Sequence, residues 1–296
     1  MAERSHASGT ETVSPSTAAE WHERHDTLGH YERVGYIGLG ESYNRWIYRL
    51  RRHHFLALTR RHGLQPDARV LDVGLGSAFY IGLYRELGIR EVAGVDISPT
   101  AVDRARAAFP SYRFSVCDIT RGLPDEIEHS SAGSEGDPYD WVSAMDMLYH
   151  IVEDDLFLEA LRYCGRAVRP GGRLVVSDNF PDQKLPADAH QAYHTLEEYE
   201  RTLAPLGFTL AEVRPVFLVS NGQVGSGGVG YRLLSLHWRM FSRFLGKAIR
   251  TWRPAGEVMG ALSGGLLTGV DLVLQQQQRW RGYSTKTAVF TRRTSR

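Results

Sequence analysis

The chain has few cysteines, little net charge and no metal-binding motif, and each of these absences excludes a class of protein. Two cysteines, Cys117 and Cys164, occur in 296 residues. That number does not build a disulfide framework, so both are predicted to be reduced core residues, as in a cytoplasmic protein. The twelve histidines have no metal-site spacing, so no metal is predicted. A net charge of +1 gives no overall attraction for DNA or RNA, and no nucleic-acid partner is expected.

Other motifs are missing as well. There is no Gly-x-x-x-x-Gly-Lys-Ser/Thr segment, which argues against a nucleotide triphosphatase. The first residues lack the apolar stretch of a secretory signal, so a cytoplasmic location is expected. Residues 1–20 are rich in Ser, Thr, Ala and Glu without periodicity and are predicted to form a disordered tail.

The most informative segment that is present is VLDVGLGSAFY, residues 70–80. Its apolar residues around Asp72, then Gly74 and Gly76, then a helix-compatible stretch, predict a buried strand, a tight turn and a helix. A second apolar strand ends at Asp96, about 24 residues after Asp72. Nucleotide-binding α/β folds place a ribose-binding acid at about this distance. The sequence therefore predicts a site for a nucleotide-containing cofactor.

The glycine spacing indicates which cofactor. A dinucleotide fingerprint needs Gly-x-Gly-x-x-Gly/Ala, whereas this chain has Gly74-x-Gly76-x-Ala78 followed by Phe79. The segment instead resembles the first motif, VLDxGxGxG, of the class I S-adenosylmethionine-dependent methyltransferases. Ala78 departs from that motif, where glycine is usual. Adequate packing of alanine is the favoured interpretation, and weakened cofactor use is the alternative.

Three later segments extend the resemblance over residues 69–180, in the family's order: SYRFSVCDIT, YDWVSAMDMLYHI and LRYCGRAVRPGGRLVVSD. The last of them resembles the family's fourth helix, a Pro-Gly-Gly turn and then the fifth strand. The resemblance implies an α/β fold: a doubly wound, mostly parallel seven-stranded sheet with an N-terminal helical lid and a helical insertion before the last strand. The expected divisions are a tail (1–20), lid (21–63), cofactor-binding core (64–220), insertion or substrate cap (221–283), and final strand with tail (284–296).

The resemblance also implies S-adenosyl-L-methionine as the cofactor. The glycine turn would admit its methionine part, Asp96 would bind the ribose hydroxyls, residues 117–119 would hold the adenine, and Asp72 would orient the turn and assist with the amino group. The implied cofactor-binding residues are Asp72, Gly74, Gly76, Asp96, Ile97, Cys117, Asp118, Ile119 and Met145.

The fourth strand of the family delivers residues near the transferred methyl group. This points to Asp146, Tyr149 and His150 as catalytic candidates, with His150 favoured as a base because imidazole titrates near neutrality. The alternative is that His150 packs against or caps the next helix. The expected substrate-binding residues come from the lid and from the segment before the crossover helix between the fifth and sixth strands. They are Tyr43, Trp46, His190, Tyr193 and His194.

Local signals place several helix ends. Residues 42–63 predict a helix with an apolar stripe that stops at Gly63, and its arginines are interpreted as a solvated face: Arg49, Arg51, Arg52, Arg60 and Arg61. Ser98-Pro99 predicts an N-cap and first turn, and Thr195 with Glu198 predicts a capping box. A sixth strand is expected over about 210–219.

The insertion has two interpretations. Apolar residues at helical spacing alternate with arginines between 232 and 250, as in a helix that covers an apolar pocket or in one that lies on a membrane surface. The pocket cover is favoured over membrane contact. Residues 258–274 are apolar, but they are too short and, with Asp271, too polar for a membrane span.

Together these features predict a methyltransferase acting on an oxygen or nitrogen of a small, largely apolar metabolite in specialised (natural-product) biosynthesis. Three alternatives stay open: an enzyme of this fold that binds the cofactor without methylating, such as a cyclase or decarboxylase; a peripheral-membrane methyltransferase with a lipid-like acceptor; and a scaffold with a vestigial pocket. The sequence does not indicate an oligomeric state.

Overall fold

A computed structural model of the chain describes residues 35–36, 38–128, 139–187, 191–225, 228–276 and 283–294. Seven strands form one sheet: β1 (Arg69–Val73), β2 (Glu91–Asp96), β3 (Arg113–Val116), β4 (Tyr139–Met145), β5 (Val168–Asp178), β6 (Phe208–Pro215) and β7 (Lys286–Arg292). Their order is β3-β2-β1-β4-β5-β7-β6. β7 pairs antiparallel with β5 and β6, whereas the pairs from β3 through β5 are parallel. The predicted doubly wound α/β sheet is confirmed.

The helices are α1 (Gly40–Arg61), α2 (Phe79–Glu86), α3 (Pro99–Ala108), α4 (Asp125–Glu128), α5 (Asp154–Arg166), α6 (Leu196–Leu203), α7 (Val229–Thr251) and α8 (Arg253–Gln276). Short 3₁₀ turns occupy Ile119–Arg121, Leu148–His150 and Ala204–Leu206. The local signals act as expected. Ser98 Oγ accepts a hydrogen bond from Ala101 N at the start of α3, and Thr195 with Glu198 forms a capping box at the start of α6.

The sheet is covered on both faces. On one face, α5 and α6 pack side chains such as Phe157 and Tyr199 against the strands, and on the other, Phe55 of α1 packs with Tyr84 of α2. The N-terminal half of α1 belongs to a third cluster, in which Tyr43 contacts residues of α7. Helix α1 therefore joins the core to the insertion.

The insertion lies between β6 and β7 and forms a helical hairpin, α7 and α8, linked at Trp252. Three glycines at four-residue spacing, Gly256, Gly260 and Gly264, are buried along one side of α8. A Cβ at Gly264 would lie 2.8 Å from Trp46 Cδ1, so the close approach of α8 to α1 requires glycine there. Asp271, further along α8, is buried and accepts hydrogen bonds from Val219 N at 2.7 Å and Leu218 N at 3.0 Å.

Two boundaries differ from the sequence-based expectation. β6 ends at Pro215 rather than at residue 219, because the amides of Leu218, Val219 and Ser220 bond to the Asp271 carboxylate instead of a neighbouring strand. The Pro170–Gly172 turn does not precede β5 but lies within it, at a register shift against β4. The tail (1–20), the first part of the lid (21–34) and His190 lie outside the described residues.

Candidate active site

A cavity of about 830 Å³ opens at the carboxyl edge of the parallel strands. Its walls come from the glycine turn after β1, the ends of β2, β3 and β4, the middle of α1, and the start of the insertion. Because α1 and the insertion lie over this edge, the cavity has a core half at the strand ends and a cap half beneath the helices. Ligands bind at this edge in open parallel sheets.

The glycine turn has the backbone that its residue types predict. Gly74 has φ +85°, and a Cβ there would lie 2.5 Å from Met147 Cγ, so both conformation and space require glycine. Gly76 has φ +51° and donates its N–H to Asp96 Oδ2 at 2.9 Å. Ala78 begins α2 in the left-handed region with φ +58°. Its methyl group is buried in the same core cluster as Phe55 and Tyr84, and the departure from glycine costs backbone strain.

Two carboxylates stand on the core half of the cavity. Asp96, which ends β2, accepts hydrogen bonds from Gly76 N and from Ser98 N at 2.8 Å. Asp118, just after β3, accepts from Thr120 N at 3.1 Å and from Thr120 Oγ1 at 2.7 Å. These backbone bonds fix the orientation of both groups, and carboxylate oxygens keep further lone pairs for hydroxyl or amino donors of a ligand. The other predicted cofactor residues on the cavity wall are Ile97, Cys117, Ile119 and Met145.

Asp72 is placed differently from the prediction. Its side chain is 1% exposed, does not line the cavity, and accepts a hydrogen bond from Ser143. Burial raises its pKa to about 7, although the Ser143 bond acts in the opposite direction. Asp72 therefore lies behind the cavity wall, where its bond to Ser143 joins β1 to β4 beneath the turn.

Arg51 is the main correction to the sequence analysis. The other four arginines interpreted as a solvated face are indeed exposed or largely so, but Arg51 points into the cavity, with a side chain 12% exposed. It forms an ion pair with Asp146, and its guanidinium lies 5.0 Å from the ring centre of Phe217. Burial opposes its charge, but the Asp146 carboxylate, together with Tyr80 and Tyr48, outweighs this effect and raises the pKa of Arg51.

Asp146 is held in an unusual backbone conformation after β4. Its φ is +56°, a region that aspartate tolerates better than most residues, and its N–H bonds to Ser177 Oγ at 2.7 Å. One carboxylate oxygen pairs with Arg51, and Tyr80 Oη donates to the same oxygen at 3.4 Å. The Oδ1 atom is buried without a hydrogen-bond partner among the described residues. The carboxylate thus has an unused acceptor position at the cavity wall.

Tyrosines dominate the cap half of the cavity. Tyr36, Tyr48, Tyr80 and Tyr149 line it together with Trp238 of α7. Burial raises the pKa of Tyr36, Tyr80 and Tyr149, so their hydroxyls stay protonated at neutral pH and can donate. His150 also lines the cavity, with its ring centre 4.5 Å from that of Tyr149. All three catalytic candidates therefore meet at one wall.

The four predicted substrate-binding residues that the structure describes do not line this cavity. Tyr43 is fully buried in the third core cluster and donates its hydroxyl to Ser220 O at 2.7 Å, and Trp46 packs against the glycines of α8. His194 is stacked on Phe157 at 3.6 Å between ring centres, and Tyr193 lies in a separate shallow cleft. The structure does not bring these four residues to the cavity; Tyr43 and Trp46 belong to an aromatic stripe of α1 that packs against α7 and α8. The sequence also did not show which side chains of residues 191–194 face the cavity.

The residues that sequence reasoning missed lie beside those it named. Ala192 N bonds to Tyr149 O at 2.7 Å, and this contact turns Gln191, rather than Tyr193, toward the cavity. Asn221, Gly222 and Gln223, at the start of the insertion, also line the cap half. Tyr80 was detectable, because it directly follows the glycine turn at the start of α2. No pattern in the sequence indicated Arg51. Within the described residues, no group of three or more His, Cys, Asp or Glu side chains could hold a metal ion.

Comparisons with known proteins agree with this geometry. A family model described as "Methyltransferase domain" matches residues 43–213, more than half of the chain. Two curated relatives are the ribosomal protein L11 methyltransferases of Ralstonia pickettii (strain 12J), 36% identical over 114 residues, and of Burkholderia mallei (strain NCTC 10229), 35% identical over 114 residues. Each match covers 38% of this chain and 33% of the relative, so the chain spans about a third of their length.

Among solved structures, a protein from Galdieria sulphuraria proposed to be a sarcosine dimethylglycine methyltransferase superposes with a TM-score of 0.51. It is 15% identical, and the superposition covers 82% of this chain and 85% of that one. This similarity concerns the fold, since the identity is too low to carry a substrate across.

Proposed function

The chain belongs to the class I S-adenosylmethionine-dependent methyltransferases, and from this premise we propose that it methylates an oxygen or nitrogen atom of a small, largely apolar metabolite. Such acceptors are typical of specialised biosynthesis. The observation that carries the proposal is the cap half of the cavity, which is roofed by α1 and the insertion and lined by aromatic side chains with polar groups between them. A roofed, mostly apolar pocket with a few polar groups is the usual form of a small-molecule site.

The core half fits the cofactor. Asp96 would accept from its ribose hydroxyls and Asp118 from its adenine amino group, because each carboxylate faces the cavity with its backbone bonds already made. Ile97 and Ile119 supply apolar walls for a flat base, and Gly74 and Gly76 leave the backbone accessible beside them. When bound, the cofactor supplies an electrophilic methyl group on a sulfonium. The rings of Tyr80 and Tyr149 and the Asp146 carboxylate suit a cation nearby.

The residues around the acceptor then have three tasks: orientation, exclusion of water, and removal of a proton. Tyr149 and Gln191 offer polar groups that orient an acceptor, and Trp238 closes the roof. His150 is proposed as the base, since an oxygen or protonated nitrogen acceptor must lose a proton. Asp146 is less suited to that task because Arg51 holds its carboxylate in an ion pair. We therefore assign Asp146 to positioning.

The first experiment measures binding of S-adenosylhomocysteine by calorimetry. Asp96→Asn should weaken binding by about tenfold or more, because a charged acceptor is lost from a hydrogen-bonded site. Asp103→Asn is the matched control, since Asp103 is an exposed acid on α3 outside the cavity and should leave binding unchanged. Equal affinities for both variants would contradict the assignment of Asp96.

The second experiment tests the acceptor class. The full chain is incubated with methyl-labelled cofactor and fractionated extract, and label is expected in an organic-soluble small molecule. His150→Gln should lower kcat while leaving S-adenosylhomocysteine binding intact. Label recovered only in ribosomal protein or RNA would refute the small-molecule acceptor while leaving the family assignment in place.

A further inference from the structure

The outer surface of the helical hairpin is unusually apolar. Within the described residues, eleven of the twelve large hydrophobic side chains that are exposed lie between residues 229 and 273, and the twelfth is Val116. Their exposed fractions reach 74% at Val229 and 72% at Leu262. A soluble monomer rarely concentrates its exposed apolar residues in one patch, and such patches mark interaction surfaces.

These residues form two stripes. They recur every three or four positions, which places them on one side of each helix. On α8 this side is opposite the buried glycines that pack on α1, and on α7 it is opposite Leu245 and Ile249. We call this surface the outer face, which consists of Val229, Leu233, Leu236, Met240, Phe244, Trp252, Val258, Leu262, Leu266, Val270 and Val273.

The charges along the outer face have one sign. Helix α7 carries five exposed basic residues, Arg232, Arg239, Arg243, Lys247 and Arg250, and no acid. The two acids of α8 face inward: Glu257 accepts from Ser42 N at 2.8 Å and Asp271 is fully buried. The local charge is therefore strongly positive, although the net charge of the whole chain is +1.

We propose that the outer face docks on the surface of an anionic lipid bilayer. An apolar stripe flanked by a row of basic side chains matches the boundary between acyl chains and negatively charged headgroups. The hairpin lies in the plane of the membrane. The side that carries the buried glycines and the side that lines the cavity stay packed against the rest of the protein. This inference does not depend on the identity of the acceptor.

Two other arrangements fit the structure less well. A second copy of the chain related by a two-fold axis would place the same row of five cations against itself, and such like-charge contacts disfavour association. A membrane span is the other arrangement: within the described residues, α8 is the one helix long and apolar enough to cross a bilayer by length and composition. If α8 crossed the bilayer, however, its glycines would be separated from α1, and Asp271 would be buried in lipid away from the amides of residues 218–220.

The test is flotation of the full chain with vesicles of phosphatidylcholine alone and with added phosphatidylserine, without cofactor or acceptor. Binding should require the anionic lipid and fall with added salt. Arg239→Ser with Arg243→Ser should lower the partition coefficient by about 30-fold, which corresponds to about 2 kcal/mol. Leu262→Ser with Leu266→Ser should also lower it. The matched control, Arg60→Ser with Arg90→Ser, removes two exposed charges elsewhere and should bind like the native chain.

Three results would overturn the proposal. The first is that the native chain, shown to be monodisperse, floats with none of the vesicles. The second is equal loss of binding in the control variant or equal binding to neutral vesicles, since either removes the role of the basic row. The third is a dimer in sedimentation velocity that Leu262→Ser with Leu266→Ser dissociates, which would assign the outer face to self-association.

Discussion

The ion pair between Arg51 and Asp146 should be strongly coupled, because it is mostly removed from water. The two side chains are 12% and 20% exposed. At an effective dielectric constant of about 20, two unit charges about 4 Å apart attract each other by about 4 kcal/mol, and desolvation offsets part of this. We expect a net coupling free energy of about 2–3 kcal/mol between the two side chains.

A double-mutant cycle measures this coupling with four proteins: the native chain, Arg51→Met, Asp146→Asn and the double variant. Each single substitution leaves one buried polar or charged partner without its bond, so each should lower the free energy of unfolding by about 3 kcal/mol. The double variant should lose about the same amount rather than the sum, because no unpaired charge remains. Urea denaturation at pH 7 gives the unfolding free energies, and the m values check that the variants unfold alike.

The adjacent residue supplies a matched control. Arg52 is paired with Glu86, but these side chains are 48% and 46% exposed, so Arg52→Met should cost less than about 1 kcal/mol. If the Arg51 and Asp146 substitutions are additive to within about 0.5 kcal/mol, the pair does not stabilise the cavity wall and the positioning role assigned to Asp146 is lost.

Three further predictions concern single residues. Ala78→Gly should raise the free energy of unfolding by about 1 kcal/mol in urea, because glycine adopts the φ of +58° without strain, and an unchanged value would exclude that strain. Burial lowers the pKa of His54 to about 3, from about 6.5 when unfolded, so stability should be complete above pH 6.5 and fall by about 1.4 kcal/mol per unit toward pH 3. His54→Leu should remove that component of the pH dependence, and an identical slope in both proteins would contradict the burial. Asp271→Leu leaves three amides without an acceptor and should cost about 3 kcal/mol or more by urea denaturation, whereas Asp271→Asn, the matched control, should cost less.

The sheet was predictable because its signals are local. Each parallel strand is a short apolar run followed closely by glycine or an acid, and helices α3 and α6 begin at caps that can be identified in the sequence, Ser98 and Thr195. The end of β6 was not predictable, since it depends on a carboxylate more than fifty residues away, Asp271, which competes for the amides of residues 218–220. Long-range hydrogen bonding of this kind leaves no trace in local periodicity.

The two halves of the cavity also differed in how far the sequence predicted them, because one depends on local signals and the other on long-range packing. The core half follows from strand ends, so spacing placed the glycine turn and Asp96, and the resemblance to the family's third-strand motif placed Asp118. The cap half depends on how α1 and the hairpin pack. Helical periodicity identified Tyr43 and Trp46 as one stripe, but it could not show that the stripe faces α7 and α8 while Arg51, one turn further on, faces the cavity. A charged residue beside an apolar stripe is normally solvated, and only the position of Asp146 reverses that expectation.

The hairpin connects the two proposals physically, because opposite sides of the same helices serve different surroundings. Trp238 of α7 forms part of the cavity roof, whereas Met240, two residues later, is 64% exposed on the outer face. Glycine packing and the Asp271 bonds fix α8 to α1, so a surface bound to the outer face is held at a constant distance from the cavity. An apolar acceptor concentrates in a bilayer by the same hydrophobic effect that the aromatic roof exploits. Docking would thus shorten the path of such an acceptor from lipid to cavity without requiring the hairpin to move.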